Sequence, residues 1–229
     1  MTEIKAEMIE YISENGKTPG YLSYPANAGE FPGVIVIQEW WGLVPHIQDV
    51  SQRFAREGFV ALAPDLYHGQ VADEPDEARK LAMELDRTRA VDEIIAAIQH
   101  LQGLASVAPK KIGVVGWCMG GWLAIATAAA NTDVGAVVVY YGNPGDLSFV
   151  PKIQAPLLGL YGQYDHGIPV DLVRSFESAL NERGIANEIH IYPGAQHAFF
   201  NDTSSRYNKE AAELAWERTI TFLKQKLGT

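Results

Sequence analysis

Short apolar runs rich in β-branched residues alternate along this chain with longer segments that have the period of a helix. The strand-like runs cover residues 33–37, 59–63, 111–115, 134–141, 156–161 and 187–192. Helical patterns cover residues 47–57, 76–102 with a break near Arg87, an alanine-rich stretch ending near residue 130, 169–183 and 208–226. This alternation is typical of a mostly parallel sheet with helices on both faces. It places the chain in the α/β class.

Two further strands open the chain, at residues 4–12 and 20–24, and Asn15-Gly16 is a typical hairpin turn between them. The sequence therefore predicts a sheet of about eight strands. A chain of 229 residues suits one domain and can bury a core without disulfides or metals. We expect a single domain over residues 1–229.

Composition limits the partners and the location of the protein. The formal charge of −10, from 18 basic and 28 acidic residues, argues against a nucleic-acid surface. The apolar run 122–130 is too short to span a membrane, and the N-terminus lacks the pattern of a signal peptide. With a single cysteine, no internal disulfide can form. We expect a cytoplasmic protein that is a monomer or a weak homo-oligomer.

A candidate nucleophile lies in the segment Gly116-Trp117-Cys118-Met119-Gly120, between a predicted strand and a predicted helix. A G-x-nucleophile-x-G sequence on such a sharp turn needs small flanking residues, because the neighbouring backbone crowds it. The start of the following helix would favour a thiolate and a developing oxyanion. Taken alone, the segment would more readily indicate a buried cysteine in a glycine-rich turn than a nucleophile.

Two downstream residues complete a possible catalytic set. Asp165 follows the strand 156–161, and His197 follows the strand 187–192. Both therefore belong to the sheet edge that carries Cys118, where ligands of such sheets bind. The order nucleophile, acid, histidine is that of α/β-hydrolases, and it supplies the base and the orienting group that a thiol nucleophile needs. Alone, Asp165 could be a turn or cap residue and His197 a surface histidine.

The remaining histidines lack a comparable setting. They are His46 and His68 in loops, His100 late in a helix, His166 beside Asp165 and His190 within a strand. No pair has the spacing of metal ligands, so we predict neither a metal nor a cofactor.

Glu39 is an unusual residue in the loop after strand 33–37, where α/β-hydrolases place a second oxyanion donor. It could be an exposed loop carboxylate. Close to a thiol, it would disfavour the thiolate and favour its own protonated form.

These segments together resemble the dienelactone hydrolases, over nearly the whole chain. The resemblance rests on Gln38-Glu39, Gly116 to Gly121, Tyr140-Tyr141-Gly142, Gly162 to His166 and Gly194 to His197. It implies an α/β-hydrolase fold without a cofactor, with Cys118 as nucleophile, His197 as base and Asp165 as its partner. It also implies that Glu39 holds the resting thiol until substrate releases it. The backbone N–H groups of Trp40 and Met119 would form the oxyanion hole. Members of the family open the ring of dienelactone.

One departure concerns substrate binding. The resemblance implies an arginine one turn after the catalytic histidine, to hold the substrate carboxylate, and this chain has Asn201 there. Arg79, Arg87 and Arg206 are alternative sources of the charge, although each would more ordinarily be a solvated surface residue. Trp40, Trp41 and Trp122 could wall an apolar cleft or belong to the core. We take Trp41, Arg79 and Asn201 as candidate substrate-binding residues.

The sequence favours hydrolysis of a small lactone or activated ester, and two alternatives stay open. One is a general carboxylesterase or thioesterase of the same fold. The other is a non-catalytic protein that binds a ligand or senses oxidation through Cys118. A further question is whether residues 66–90 form a lid.

Overall fold

A single sheet of eight strands forms the centre of the computed structural model, which describes residues 2–228. The two ends of the predicted domain, residues 1 and 229, lie outside the described residues. The strands are β1 (Ile4–Ser13), β2 (Gly16–Pro25), β3 (Gly33–Ile37), β4 (Val60–Pro64), β5 (Ile112–Trp117), β6 (Val134–Tyr140), β7 (Leu157–Gly162) and β8 (Asn187–Tyr192).

The sheet is mostly parallel, as predicted. Its order is β1-β2-β4-β3-β5-β6-β7-β8. The hairpin β1–β2 and the pair β2–β4 are antiparallel, and every later pair is parallel. From β3 the chain moves outward to β4, whereas from β5 it moves the other way to β6. The loops after β3 and β5 therefore diverge, which is where open α/β sheets bind ligands.

Six α-helices lie around this sheet within residues 2–228. They are α1 (Pro45–Arg56), α2 (Pro75–Glu84), α3 (Arg87–Gly103), α4 (Met119–Ala130), α5 (Val170–Glu182) and α6 (Lys209–Leu227). Helices α3 and α4 pack against each other. Helices α1 and α6 meet through the rings of Phe54 and Trp216, whose centroids are 4.6 Å apart. The predicted cover of helices around the sheet is thus confirmed.

The core lies on both sides of the central strands. Each residue of β3, β4 and β5 is buried, and so is the predicted two-sided run from Ala136 to Tyr140 in β6. Full burial explains why these strands read as continuous apolar runs rather than as alternating ones. They form a fixed frame that positions the loops at their carboxyl ends.

The opening hairpin differs from the prediction. Ser13 pairs with Gly16, so the turn consists of Glu14 and Asn15, and β2 begins at Gly16 rather than at residue 20. Gly16 tolerates this position because its φ of 105° lies in the left-handed region that glycine adopts without strain. Pairing with β1 along the whole of β2 extends the strand beyond its apolar segment, whereas the pairing with β4 covers only Gly20 to Ser23.

The predicted break near Arg87 is confirmed. Helix α2 ends at Glu84, and Asp86 starts α3 by accepting hydrogen bonds from the N–H groups of Thr88 and Arg89 through its carboxylate. An aspartate at this N-cap position satisfies N–H groups that lack intrahelical partners. The cap sets the direction in which α3 leaves the break.

Within residues 2–228, no helix is long and apolar enough to cross a membrane. In the same part of the chain, histidine, cysteine and acidic side chains form no cluster of three or more that could hold a metal ion.

Candidate active site

Cys118 lies on the sharp turn between β5 and α4. Its φ of 56° and ψ of −116° place it in a backbone conformation that costs energy for a residue with a side chain. The flanking glycines make the turn possible. A Cβ on Gly116 would collide with the backbone of Gly120, and one on Gly120 would come within 2.5 Å of the carbonyl oxygens of Ile37 and Gln38. The turn exposes the thiol at the carboxyl edge of the sheet.

His197 and Asp165 meet beside it. The loops after β8 and β7 bring His197 Nδ1 to 2.6 Å from Asp165 Oδ2. The other oxygen of Asp165 accepts hydrogen bonds from the N–H groups of Gly167 and Ile168, which fixes the buried carboxylate. Because a carboxylate only accepts, Nδ1 of His197 donates to it. The imidazole then presents Nε2 to the cleft.

The charge around His197 favours its protonated form. Burial lowers the pKa of His197, but the hydrogen bond to Asp165 and the interaction with Cys118 outweigh burial and raise the pKa to about 10. The proton that the Cys118 sulfur and the imidazole can share is therefore favoured on His197. Such a pair can move a proton between sulfur and nitrogen.

Glu39 is buried beside the thiol and bonded to two neutral donors. The hydroxyl of Tyr141 donates to Glu39 Oε1 at 3.1 Å, and the side-chain amide of Asn201 donates to Oε2 at 2.7 Å. The resemblance implied that this carboxylate holds the thiol. In the structure its hydrogen bonds go to Tyr141 and Asn201 instead.

Trp40 and Met119 lie where an oxyanion hole is expected. Met119 is the first residue of α4, so its N–H has no partner within the helix. The Tyr67 hydroxyl reaches both residues, lying 3.2 Å from the Trp40 carbonyl oxygen and 3.5 Å from the Met119 sulfur. Tyr67 thereby connects the loop after β3 to the start of α4.

Two cavities meet at Cys118, His197 and Trp40. The first has a volume of about 510 Å³ and lies beneath Trp122 and Arg87. The second has a volume of about 570 Å³. Its lining includes Glu39, Trp41, Arg79, Asn201 and Arg206. The three tryptophans considered from the sequence thus border the cleft. A ligand carbonyl at Cys118 can extend one substituent into each cavity.

The three candidate arginines have different surroundings. Arg79 is exposed and pairs with Asp76 at 2.8 Å, and Arg206 lines the same cavity as Arg79. Arg87 lies in the other cavity, with its guanidinium 4.6 Å from the centre of the Trp122 ring. Asn201 does line the cleft, but its amide points at Glu39. The structure places cationic groups at both ends of the cleft.

Tyr67 and Tyr141 were given no role from the sequence. Tyr141 contacts two parts of the site, because its ring lies 5.0 Å from the His197 ring while its hydroxyl bonds to Glu39. Burial, followed by the charges of Glu39 and Cys118, raises the pKa of Tyr141 well above its usual value. The tyrosine therefore stays a donor. Its place directly after β6 was the signal available in the sequence, since that loop opens on the same sheet edge.

Other histidines are engaged elsewhere. His46 Nδ1 lies 3.2 Å from Asp202, and His68 Nε2 lies 3.0 Å from the buried carboxylate of Glu93. Their positions agree with the prediction that neither is the base of this site.

Comparison with known proteins gives a consistent result. The model of the dienelactone hydrolase family matches residues 18–227. A Synechocystis protein with the provisional name carboxymethylenebutenolidase is 33% identical to this chain and covers 98% of both chains. Protein usf of Aquifex pyrophilus is 36% identical over 96% of this chain and 99% of its own.

Solved structures agree with these relatives. A crystal structure from Klebsiella pneumoniae, provisionally named a dienelactone hydrolase, superposes with a TM-score of 0.91 at 31% identity. The match covers 97% of this chain and 99% of that one. A dienelactone hydrolase-like promiscuous phosphotriesterase from metagenomic libraries has the same fold, with a TM-score of 0.88 at 20% identity over 98% and 99% of the two chains.

The sheet order, the turn after β5 and these matches define the molecule as a hydrolase with the α/β-hydrolase fold. Within that class, the chain belongs to the dienelactone hydrolase family.

Proposed function

We propose that this hydrolase opens small lactones or activated esters through a Cys118, His197 and Asp165 triad and a thioacyl intermediate. The observation that carries the proposal is the placement of His197, which is held by Asp165 at 2.6 Å and interacts with Cys118 on the strained turn. The provisional name of several relatives, carboxymethylenebutenolidase, agrees with a lactone substrate.

In the first half-reaction, the Cys118 sulfur gives its proton to His197 Nε2 and attacks the substrate carbonyl carbon. The carbonyl oxygen becomes an oxyanion, which the N–H groups of Trp40 and Met119 stabilise. The C–O bond then breaks, the acyl group stays on sulfur, and the leaving oxygen takes the proton from His197. With a lactone, the leaving group remains tethered to the acyl chain.

In the second half-reaction, His197 takes a proton from water, and the oxygen attacks the thioester carbon. The C–S bond breaks, the departing sulfur takes the proton back from His197, and the acid is released. Asp165 keeps the imidazole in the required tautomer and stabilises its positive charge. Because a thiolate is itself a good leaving group, substrates with enolate, phenolate or thiolate leaving groups are favoured over amides.

The arrangement of Asn201 favours a second candidate, a general carboxylesterase or thioesterase. The side chain that stands in place of the expected arginine is bonded to Glu39. It brings no positive charge to a substrate carboxylate. Preference for simple aryl esters over dienelactone would identify this second candidate.

The deciding experiment measures turnover of dienelactone and of p-nitrophenyl acetate by the wild type and by Cys118→Ala. Loss of both activities in the variant supports the triad, and the ratio of the two wild-type rates separates the candidates. An unchanged rate in Cys118→Ala would refute the mechanism. Mass spectrometry of wild type quenched during turnover should detect the acyl group on the peptide that contains Cys118.

A further inference from the structure

The proposed triad does not explain why the Glu39 carboxylate is buried with its particular hydrogen-bond donors. Glu39 is only 2% exposed, and both of its hydrogen-bond donors, Tyr141 and Asn201, are neutral. A buried carboxylate that loses a donor must find another one, because an unpaired buried charge is costly. The groups around Glu39 therefore decide which donor it uses.

The Cys118 thiol is an alternative donor on the neighbouring strand end. Strands β3 and β5 are neighbours in register, with Ile37 opposite Gly116, so Glu39 and Cys118 each follow two residues after a paired residue. Neighbouring strands lie only about 4.8 Å apart. Glu39 and Cys118 also line the same cavity, and the charges of both act on Tyr141.

Asn201 is fixed in the orientation that holds Glu39. Its side-chain oxygen accepts hydrogen bonds from the N–H and the hydroxyl of Thr203, at 3.0 and 2.6 Å. With the oxygen engaged by two donors, the NH₂ group must face Glu39. The Asn201 side chain is buried and sits on the loop that carries His197, three residues after Ala198, whose φ is 61°.

We propose that Asn201 is a positioning residue that, with Tyr141, holds the Glu39 carboxylate away from the Cys118 thiol. The thiol then exchanges its proton with His197 alone. The inference rests on the proposed function, in which Cys118 must reach the thiolate form, and it gives Asn201 a role at Glu39 instead of at the substrate. The protein therefore has a reactive Cys118 thiol even before a substrate binds.

The test follows the thiol rather than turnover. The rate of Cys118 alkylation by iodoacetamide is measured from pH 5 to 10 in the wild type and in Asn201→Leu. In the variant, the Glu39 carboxylate turns to the Cys118 thiol and accepts its hydrogen bond, so the thiol keeps its proton. Alkylation at pH 7 should fall about tenfold, and the pH of half-maximal rate should rise by about one unit. An unchanged profile overturns the proposal.

Adding Glu39→Gln to Asn201→Leu separates positioning from general damage. Glutamine carries no negative charge that would disfavour the thiolate beside it, so alkylation should return toward the wild-type rate. A double variant as slow as the single one would place the defect in the loop rather than in Glu39, and would refute the proposal. Asn181→Leu, on the exposed face of α5, is the matched control and should leave the profile unchanged.

A milder variant covers the case in which Asn201→Leu does not fold. Thr203 is exposed, and Thr203→Val removes one of the two donors that fix Asn201. Alkylation at pH 7 should fall about threefold, the size of one ordinary hydrogen bond. A wild-type profile in a folded Thr203→Val protein would then count against the proposal. Because alkylation needs no substrate, these outcomes are independent of whether the hydrolase reaction itself is assigned correctly.

Discussion

At the scale of single residues, the site depends on a chain of acceptors and donors that fixes each polar group. Asp165 receives two backbone N–H groups on one oxygen and His197 on the other. Asn201 is oriented by Thr203 in the same manner. Because these side chains are held by hydrogen bonds on both sides, they lose few orientations when a substrate binds. The geometry of the site is therefore formed before binding.

The raised pKa of His197 predicts how its contribution to stability depends on pH. The pKa is about 10 in the folded chain and 6.5 in the reference state. A group with a raised pKa stabilises the fold fully below the lower value, and the stabilisation disappears as the pH rises through the higher one. The difference in free energy of unfolding between the wild type and His197→Gln should therefore shrink between pH 6.5 and 10.

Urea unfolding of both proteins across this pH range measures the difference. The same comparison in an Asp165→Asn background should show a weaker dependence, because the partner that raises the pKa has lost its charge. A difference that stays constant, or grows with pH, would contradict the assignment of His197 as a stabilised cation.

The sequence brings Cys118, Asp165 and His197 together as a predicted triad, because each follows an apolar strand at the same sheet edge. It could not predict the side-chain directions of Asn201, Tyr67 and Tyr141. Those directions depend on contacts between loops far apart in the chain, such as the 162 residues that separate Glu39 from Asn201. Asn201 as a substrate-binding residue stays a prediction; in the structure the residue lines the cavity at Cys118 and its amide donates to Glu39.

At the scale of elements, the break between α2 and α3 positions one wall of the cleft. Helix α2 rests on a small separate cluster that consists of Tyr67, Ala72, Ala78 and Leu81, beside Trp40 and Trp41. Helix α3, in contrast, is packed on the main sheet. Arg87, the first residue of α3, lies at the junction of α2 and α3 and lines the cavity that also includes Trp122.

Element boundaries could be predicted where residues adjacent in sequence determine the turn, as at the break before Arg87. The strand order could not be predicted in this way. The insertion of β4 between β2 and β3 requires the antiparallel pairing of Gly20 with Pro64, which no local pattern indicates. The hairpin turn was placed one residue late for a similar reason, since pairing of Ser13 with Gly16 depends on how the whole of β2 is aligned.

The Asp86 cap should be measurable in the stability of α3. Replacing it by alanine leaves the N–H groups of Thr88 and Arg89 without their acceptor. We expect Asp86→Ala to lower the free energy of unfolding by about 1 kcal/mol in urea titrations. Asp86→Ser keeps a capping oxygen and is the matched control, which should lose much less. Equal stabilities of the alanine variant and the wild type would show that the cap does not support the helix.

At the scale of the whole molecule, the distribution of charge differs between the surface and the cleft. The chain carries a net charge of −10, yet Arg79, Arg87 and Arg206 line its two cavities. An acidic protein repels anions in general, so cations concentrated at the cleft give an anionic substrate a local attraction. Of the three, Arg87 has its guanidinium stacked over the Trp122 ring, and the N–H groups at the edge of that plane can still donate to a ligand.

Arg87 should therefore select for a negative charge on the part of the substrate that enters its cavity. Arg87→Met keeps an unbranched side chain over Trp122 and removes the charge. For a p-nitrophenyl monoester with a free carboxylate on its acyl chain, KM should rise about tenfold or more, the size of a charge-assisted hydrogen bond. For neutral p-nitrophenyl acetate, KM should stay unchanged.

Arg174→Met, at an exposed position paired with Glu177 on α5, controls for the loss of a positive charge elsewhere. Because the attraction is electrostatic, added salt should reduce the wild-type preference for the anionic ester and leave that of Arg87→Met unaltered. Equal changes for the two esters would instead assign Arg87 to the support of the cavity wall, and the anion selectivity would have to come from Arg79 and Arg206 in the opposite cavity.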